Sequence, residues 1–377
     1  MTPPIEIAVW IVMMLSFAYL TVIAIFTYGW YSLKLGFIPK TAPSTKVSVV
    51  VAVRNEETNI DSLLASLLQQ EYPKELIEVI IVDDHSEDAT YSKVKDFLKK
   101  HPELHIKLIS SPGTGKKDAI GFGIDSSQSG FILTTDGDCI PARRWIRKMT
   151  AYYEIYRPKI LLGPVVYAHE KTFFQKLFSL DFMSMVASGA GSAGVGLPFM
   201  GNAANMAFDR SVFSNKTLKT VYSSGDDVFL IHGVKKSYGG RSMHFIKDAH
   251  AVVTTHAPKG WNAFFNQRLR WASKAKGYRD GWSIIVSWVV LLLNVSLMVL
   301  FVAGLWWHWL LAIWFLFITL KALIDFPLLN GYAQLTGKGK LMVFLWPVEF
   351  LYPVYISIVG IGSVFLKYRW KGRDGLK

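Results

Sequence analysis

The N-terminal apolar run constrains the fold of this 377-residue chain more than any other feature of its sequence. Between residues 5 and 33 the only charged side chain is that of Glu6. About 20 apolar residues are enough for a helix to cross the bilayer core, so this run predicts a transmembrane helix. A cleaved secretory signal is the alternative, but it would begin with basic residues, and the first one here is Lys34. We therefore predict an uncleaved anchor over residues 1–34, with the chain entering the cytoplasm after it.

The C-terminal part of the sequence is apolar again, and we predict a transmembrane region over residues 284–366. Its apolar stretches are residues 284–302, 306–323 and 341–366. The third contains Pro347, Glu349 and Pro353, so it is either a kinked span or an interfacial helix leading into a shorter span. Four full spans would place the basic tail, residues 367–377, outside the cell. This conflicts with the positive-inside rule, and the number of spans stays open.

Composition supports a membrane protein and narrows its partners. Half of the residues (51%) are hydrophobic and 18% are charged, which argues against a purely soluble protein. The net charge of +13 fits basic segments beside membrane spans or a cleft for an anionic substrate. Basic and aromatic residues form no repeated surface motif, so no nucleic-acid partner is expected. Cys139 is the only cysteine, which excludes an intrachain disulfide and a cysteine-based zinc site.

Between the two apolar ends, residues 45–280 alternate short apolar runs with amphipathic stretches. The runs at residues 47–53, 79–82, 105–109 and 131–135 are predicted strands. Helical periodicity separates them, at residues 60–68, at 94–98 and near Ala119. Strands that alternate with helices at this spacing predict an α/β fold with a mostly parallel sheet. Such sheets bind ligands at the carboxyl ends of their strands.

Three acidic clusters are separated by apolar strands. They are Asp83-Asp84, Asp136-Gly-Asp138 and Asp226-Asp227. A single such cluster is often only a helix cap. The carboxylates of Asp136 and Asp138 leave one strand end together, and as hard oxygen donors they could hold Mg²⁺ or Mn²⁺ together with a diphosphate. The metal would neutralise charge on a departing nucleoside diphosphate.

The segment Gln267-Arg-Leu-Arg-Trp271 lies downstream of these clusters. Gln267 and Arg270 are three residues apart and share one face of a helix. Arg270 is suited to a diphosphate, and Trp271 offers a flat surface to a sugar. The alternative is a basic helix that lies on the membrane surface before a span.

Together these elements resemble the membrane-bound branch of glycosyltransferase family 2. That branch includes the hyaluronan, cellulose and poly-N-acetylglucosamine synthases and the ceramide glucosyltransferases. The resemblance covers residues 45–280 and the flanking membrane segments, and it rests on five motifs in family order: Arg54-Asn-Glu56, Asp83-Asp84, Asp136-Gly-Asp138, Asp226-Asp227 and Gln267-Arg-Leu-Arg-Trp271. It implies an α/β GT-A (Rossmann-like) nucleotide-sugar domain with transmembrane helices at both ends.

The resemblance also implies where the donor and the metal bind. Glu56 and Asp84, with Arg54 and Asp83 in the same motifs, would hold the uracil and ribose end of a UDP-sugar. Lys116 matches the family's lysine near the nucleotide. Asp138 would bind Mg²⁺ or Mn²⁺, and Asp136 would contact the donor and the metal beside it.

The remaining motifs would serve the acceptor. Asp227 matches the catalytic base, although the family often has Glu-Asp where Asp226-Asp227 stands, which leaves it open which carboxylate serves. A second departure is Ala52, where the family often has Pro. Gln267, Arg270 and Trp271 would close over the diphosphate and line the acceptor site.

The expected activity is inverting transfer of glucose or N-acetylglucosamine from a UDP-sugar. The acceptor is a polysaccharide or a lipid, and the sequence leaves the two open. The protein is expected in the cell membrane as a multi-pass protein in contact with membrane lipids, with its catalytic domain in the cytoplasm. The alternative is a non-catalytic membrane scaffold that keeps the GT-A fold.

Three further segments carry weaker predictions. The glycine-rich residues 189–196 predict a flexible loop or a close approach of backbone near the acceptor. The segment 201–208 resembles an acceptor-side segment in which Asn202 or Asn205 contacts sugar, with turn and cap roles equally open. The apolar stripe at residues 173–180 predicts either a core helix or an interfacial helix.

Overall fold

The computed structural model describes residues 3–36, 42–213 and 226–366, together with the short strands Arg369–Trp370 and Arg373–Asp374. Most of the predicted basic tail, residues 367–377, lies outside the described residues. The chain divides into two compact units. An α/β unit comprises Leu33–His169 and Gly196–Ala257, and a helical unit comprises Met1–Ser32, Glu170–Val195 and Pro258–Lys377. The helical unit therefore includes an internal segment, residues 170–195, as well as both ends of the chain.

The first half of the α/β unit alternates strands and helices as the sequence predicts. In chain order the elements are β1 (Val47–Val53), α2 (Ile60–Leu68), β2 (Ile77–Asp83), α3 (Thr90–Lys100), β3 (Ile106–Ser110), α4 (Lys116–Asp125) and β4 (Phe131–Thr134). The four strands pair in parallel. Both faces of β1 and β2 are buried, which explains why they are continuous apolar runs.

The second half of the α/β unit extends the sheet with antiparallel and parallel pairs. Its elements are β5 (Ile140–Pro141), α5 (Trp145–Tyr156), β6 (Ile160–Leu162), β7 (Val165–Ala168), β8 (Met206–Asp209), α7 (Asp226–Tyr238), β9 (Met243–Phe245) and β10 (Val253–His256). The main sheet has the order β3-β2-β1-β4-β8-β6-β9, with β8 antiparallel to β4 and β6. A smaller sheet has the order β5-β10-β7. The predicted α/β fold class is confirmed.

The helical unit is built from six helices among the described residues. They are α1 (Pro3–Ser32), α6 (Phe173–Gly194), α8 (Trp261–Ser273), α9 (Gly281–Gly304), α10 (Trp309–Leu335) and α11 (Leu345–Phe365). Four segments are long and apolar enough to cross a membrane: Glu6–Ser32, Gly281–Gly304, Trp309–Leu335 and Gly339–Phe365. The last of these begins with a 3-10 turn, Gly339–Phe344, and continues as α11 with Pro353 inside the helix.

The glycine-rich segment 189–196 is mostly helical, so the predicted flexible loop is wrong. Residues up to Gly194 belong to α6, which packs against α1. A Cβ at Gly191 would lie 2.2 Å from the Phe26 carbonyl oxygen, and one at Gly194 would lie 2.1 Å from the Gly29 carbonyl oxygen. The glycines therefore permit a close backbone approach, as the alternative prediction stated, but the partner is α1. Small residues serve the same purpose where helices cross closely in membranes.

Candidate functional site

The loops that follow β1 and β2 are held to each other by hydrogen bonds. The Asn55 amide donates to Ser86 Oγ at 3.1 Å, and Asn55 Oδ1 accepts from the Glu87 amide at 2.9 Å. Asn55 and His85 have positive φ values of 51° and 57°, a region that residues other than glycine adopt infrequently. The chain thus makes a sharp turn at the carboxyl end of both strands, where parallel sheets present their ligand sites.

Arg54 braces these two loops from within. Its Nη1 donates to the Asp84 carbonyl oxygen at 3.0 Å, and its Nη2 lies 3.2 Å from Glu87 Oε1. Its predicted contact with the donor remains a prediction, because the contacts described for its guanidinium are with the protein.

Asp83 and Asp84 are both buried at the end of β2. Asp83 Oδ2 accepts a hydrogen bond from the Ser86 amide at 3.1 Å, which fixes the turn. Asp84 Oδ1 accepts from the Gly115 amide at 2.8 Å, which links β2 to the start of α4. Gly115 has φ +104°, a conformation that L side chains rarely adopt, so a glycine is needed where the chain enters α4.

Lys116, the first residue of α4, pairs with Asp136. Its Nζ lies 2.5 Å from Asp136 Oδ1, and each side chain is 29% exposed. The pair is therefore partly open to solvent, unlike the buried Asp84. This contact brings the predicted lysine to the predicted metal motif.

The Asp136-Gly-Asp138 motif forms a tight turn after β4. The Cys139 amide donates to the Asp136 carbonyl oxygen at 3.1 Å, and Asp138 Oδ2 accepts from Thr255 Oγ1 at 3.2 Å. Thr255 lies on β10, so the smaller sheet supports the turn. The sequence analysis did not identify this residue, because a threonine in a strand carries no distinguishing signal.

Glu56 packs directly against this turn. A Cβ at Gly137 would lie 2.9 Å from Glu56 Cγ, so a larger residue at position 137 would displace this side chain. Glu56 is buried, and its Oε2 accepts a hydrogen bond from Asn59 Nδ2 at 2.7 Å. Its amide donates to Thr90 Oγ1, also at 2.7 Å. The fold thereby brings Glu56 to the Asp136–Asp138 turn and fixes it there.

The turn offers a donor set that fits a divalent cation. Ligand atoms of Asp136, Asp138 and Cys139 lie within 4.8 Å of one another. Burial, followed by the nearby carboxylates of Asp138 and Asp136, raises the pKa of the Cys139 thiol well above its usual range, so the thiol stays neutral. The two carboxylates are the hard oxygen donors of this group, which are the ligands that suit Mg²⁺ or Mn²⁺.

Asp226 and Asp227 begin helix α7. Asp227 is partly buried, and its Oδ1 accepts from the Val228 amide at 2.8 Å. The positive end of the helix dipole stabilises a carboxylate at this position. The Asp226 side chain lies outside the described residues.

Asn202 and Asn205 have structural contacts. Asn202 Oδ1 caps a short 3-10 helix by accepting from the Ala204 amide at 3.0 Å. Asn205 is fully buried, donates to the carbonyl oxygens of Pro164 and Ala251, and accepts from Trp145 Nε1, each at 2.8 Å. The cap alternative therefore describes Asn202, whereas Asn205 joins buried segments of the α/β unit.

Helix α8 of the helical unit carries Gln267, Arg270 and Trp271. Its most buried residue is Arg268, which the sequence analysis did not identify. Arg268 is 2% exposed, and its Nη2 lies 2.6 Å from Asp181 Oδ2 on α6. Its guanidinium carbon lies 4.6 Å from the Phe264 ring centroid and 4.4 Å from that of Trp271. The spacing of residues 264, 268 and 271 places them on one helix face and is the signal that could have identified Arg268.

The five predicted site residues that the α/β unit brings together are Glu56, Asp84, Lys116, Asp136 and Asp138. Comparisons with known proteins identify the family of this unit. The family model for glycosyl transferase family 2 matches residues 48–214. Glycosyltransferase AglE of Haloferax volcanii is 35% identical over 102 residues, which is 27% of this chain and 33% of that protein. This chain thus aligns with only about a third of that relative's length.

Two other comparisons cover most of the chain. Poly-beta-1,6-N-acetyl-D-glucosamine synthase of Staphylococcus epidermidis is 23% identical over 344 residues, which is 85% of this chain and 78% of that protein. The solved structure of mannosyltransferase PcManGT from Pyrobaculum calidifontis, in complex with GDP-Man and Mn²⁺, is similar with a TM-score of 0.60. It is 18% identical, and the match covers 95% of this chain and 99% of that one. The chain therefore contains a glycosyltransferase family 2 domain with the GT-A fold.

Proposed function

We propose that this protein is an inverting, membrane-bound glycosyltransferase that transfers glucose or N-acetylglucosamine from a UDP-sugar to a glycan or lipid acceptor. The observation that supports this most is the turn at Asp136 and Asp138, where two carboxylates and the Lys116 ammonium meet at a strand end, partly open to solvent. A diphosphate needs both a cation and a positive side chain, and this turn supplies the groups for each.

The N-acetylglucosamine donor is supported by the relative from Staphylococcus epidermidis, whose name gives that sugar and whose match extends over 85% of this chain. The solved mannosyltransferase holds GDP-Man instead. A donor panel must therefore include both uridine and guanosine nucleotides. Four candidate spans support the membrane setting of the acceptor, and the cytoplasmic position of the domain is part of the proposal.

In the proposed reaction Asp227 accepts the proton of the acceptor hydroxyl, whose oxygen attacks the anomeric carbon. The bond from that carbon to the diphosphate breaks, and the electron pair leaves with the nucleoside diphosphate. A single displacement inverts the configuration, so an α-linked donor gives a β-glycoside. A divalent cation held by Asp136 and Asp138 would neutralise charge on the diphosphate.

Other residues of the α/β unit would orient the donor. Glu56 and Asp84 are held at the strand ends by the protein, so the nucleoside would meet groups that are already positioned. Lys116 would exchange part of its contact with Asp136 for the donor phosphate. The roles of Gln267, Arg270 and Trp271 toward the diphosphate and the acceptor remain predictions.

The test is nucleotide release by the full chain in detergent, measured over a panel of UDP- and GDP-sugars with Mn²⁺ or Mg²⁺. We expect release with one UDP-sugar, about 10²- to 10⁴-fold slower release in Asp227→Asn, as for loss of a general base, and no release with a chelator. Asp96→Asn, which changes an exposed carboxylate on α3, is the matched control and keeps wild-type release.

The outcomes separate the parts of the proposal. Equal release by wild type and Asp227→Asn would remove Asp227 as the base. Release only from a GDP-sugar would reject the uridine donor and keep the reaction class. No release from any donor, with glycan and lipid acceptors present, would favour the scaffold alternative. When release is observed, the reaction product identifies the acceptor: a ladder of glycan lengths indicates a polysaccharide, and a single glycolipid indicates a lipid. NMR of the product's anomeric proton tests inversion.

A further inference from the structure

The helical unit contains a buried cluster of charged side chains, which we call the Lys321 cluster. It consists of Lys321 and Asp325 on α10, Glu349 on α11 and Tyr19 on α1. Lys321 Nζ lies 2.7 Å from Asp325 Oδ2 and 2.6 Å from Glu349 Oε2. The Tyr19 hydroxyl lies 2.8 Å from each Asp325 oxygen. The Lys321, Asp325 and Glu349 side chains are 3%, 9% and 3% exposed.

The position of this cluster along the helices makes the desolvation of its charges costly in free energy. Tyr19 is at the midpoint of the candidate span Glu6–Ser32, and Lys321 is next to the midpoint of Trp309–Leu335. Glu349 lies inside the fourth span, Gly339–Phe365. Ionisable side chains at the centre of a bilayer are rare because their desolvation is expensive, and where they occur they commonly serve a function.

The cluster carries an excess of negative charge if all of its groups are ionised, since it has one ammonium and two carboxylates. The other titratable groups that the described residues place around it are Tyr352, whose ring centroid lies 4.7 Å from Lys321 Nζ, and Asp181 near Tyr352. The tyrosines are neutral, and Asp181 is paired with Arg268. No second cation among the described residues faces the two carboxyl groups, so their charge must be balanced in another way.

The position of the two carboxyl groups around Lys321 indicates how. Asp325 Oδ2 and Glu349 Oε2 converge on the same nitrogen, Lys321 Nζ, at 2.7 Å and 2.6 Å. One ammonium balances the charge of one carboxylate, so the second buried carboxyl group is electrically neutral only if it carries a proton. We propose that Asp325 and Glu349 share one exchangeable proton, which makes the Lys321 cluster an electrically neutral, intramembrane proton-binding site.

A metal ion fits this site less well than a proton does. Lys321 Nζ already occupies the position between the two carboxyl groups, and the Tyr19 hydroxyl engages both Asp325 oxygens. Hard cations take six or more oxygen ligands, and within the described residues the group of metal-ligating side chains is the one at Asp136, Asp138 and Cys139. The inference is independent of the proposed transferase activity.

The test is infrared spectroscopy of the full chain in lipid nanodiscs, which detects the carbonyl stretch of a protonated carboxyl group. We expect a band that shifts in D₂O and disappears in both Glu349→Gln and Asp325→Asn, because either amide leaves one carboxylate to balance Lys321. Asp96→Asn, which alters an exposed carboxylate, keeps the band. A band that persists unchanged in both amide variants would overturn the proposal.

Two further measurements keep the test valid if an amide variant fails to fold. Wild type labelled with ¹³C at the carboxyl carbons of aspartate or glutamate must show a shifted band with at least one label, and no shift with either label contradicts a protonated pair. Thermal unfolding is then compared in sodium and choline buffers. Equal midpoints are expected, whereas a stability that requires sodium would replace the proton with a metal cation.

Discussion

The Lys116–Asp136 pair of the α/β unit and the Arg268–Asp181 pair of the helical unit have similar distances but different depths. In the α/β unit, Lys116 and Asp136 are 2.5 Å apart and each is 29% exposed. In the helical unit, Arg268 and Asp181 are 2.6 Å apart and are 2% and 6% exposed. Distance therefore does not distinguish the two pairs, and exposure does. A partly exposed pair can exchange its partner for a ligand, whereas a buried pair loses far more when one member is removed.

The largest effect is expected for Arg268→Met. Burial raises the pKa of Asp181, and Arg268 is the neighbour that opposes this shift. Without Arg268 a buried carboxyl group loses its cation, and we expect a loss of about 3–5 kcal/mol in the free energy of unfolding. The measurement is thermal or denaturant unfolding of the purified chain in detergent.

The double variant Asp181→Leu/Arg268→Met is the control for this prediction. Replacing both members of a buried ion pair with apolar residues is often neutral, so the double variant should regain most of the lost stability. A loss below about 1 kcal/mol in the single variant would lie in the range of exposed pairs. It would mean that burial of the Arg268–Asp181 pair does not increase the stability lost when Arg268 is removed.

The second effect is on activity and concerns Lys116→Met. The pair is partly exposed, so the free energy of unfolding should change by no more than about 1 kcal/mol. Loss of a positive group beside the leaving diphosphate should slow nucleotide release about 100-fold, which corresponds to about 2.7 kcal/mol in the activation barrier. Lys99→Met, at a pair on α3 exposed by 67% and 61%, is the matched control and should change neither quantity. A large loss of stability without a matching loss of release would give Lys116 a structural role.

The same difference in depth explains what the sequence could predict. The strands of the first half are mostly apolar, and the predicted strand at residues 47–53 coincides with β1. The acidic motifs follow these strands in the chain, so the edge of the sheet that carries them could be predicted from strand order. Lys116 and Asp136, which the family resemblance assigns to the donor site, lie side by side at this edge, and their roles remain predictions.

The interior of the helical unit could not be predicted in this way. The partners of Arg268 and of Lys321 lie on other helices, as Asp181 and Glu349 do, and helical periodicity does not specify which helices pack together. Residues 189–196 show the same limit. Glycines are typical of loops, but here they are needed because a Cβ would clash with backbone carbonyl oxygens of α1. The local sequence does not reveal this contact.

The smallest effect is expected at a pair of intermediate depth, Lys338 and Glu170 in the helical unit. Their Nζ–Oε1 distance is 2.7 Å, and the side chains are 20% and 9% exposed. Burial raises the pKa of Glu170, but hydrogen bonds from Lys338 and Ser179 outweigh it, and the net shift is downward. The pair therefore contributes stability that is present above the pKa of glutamate in the unfolded chain and is lost as the pH falls through the lower pKa of the folded state.

We expect Lys338→Met to lower the free energy of unfolding by about 1 kcal/mol at neutral pH, between the effects at the exposed and the buried pairs. The difference from wild type should shrink as the pH is lowered from about 7 to about 4, because protonated Glu170 no longer gains from the ammonium. Unfolding midpoints of both proteins across this range are the measurement, with the exposed Lys99→Met as the reference. A difference that stays constant with pH would mean that Lys338 acts through packing of its alkyl chain. Side-chain exposure would then predict the stability contribution of an ion pair only when the pair is fully exposed or fully buried.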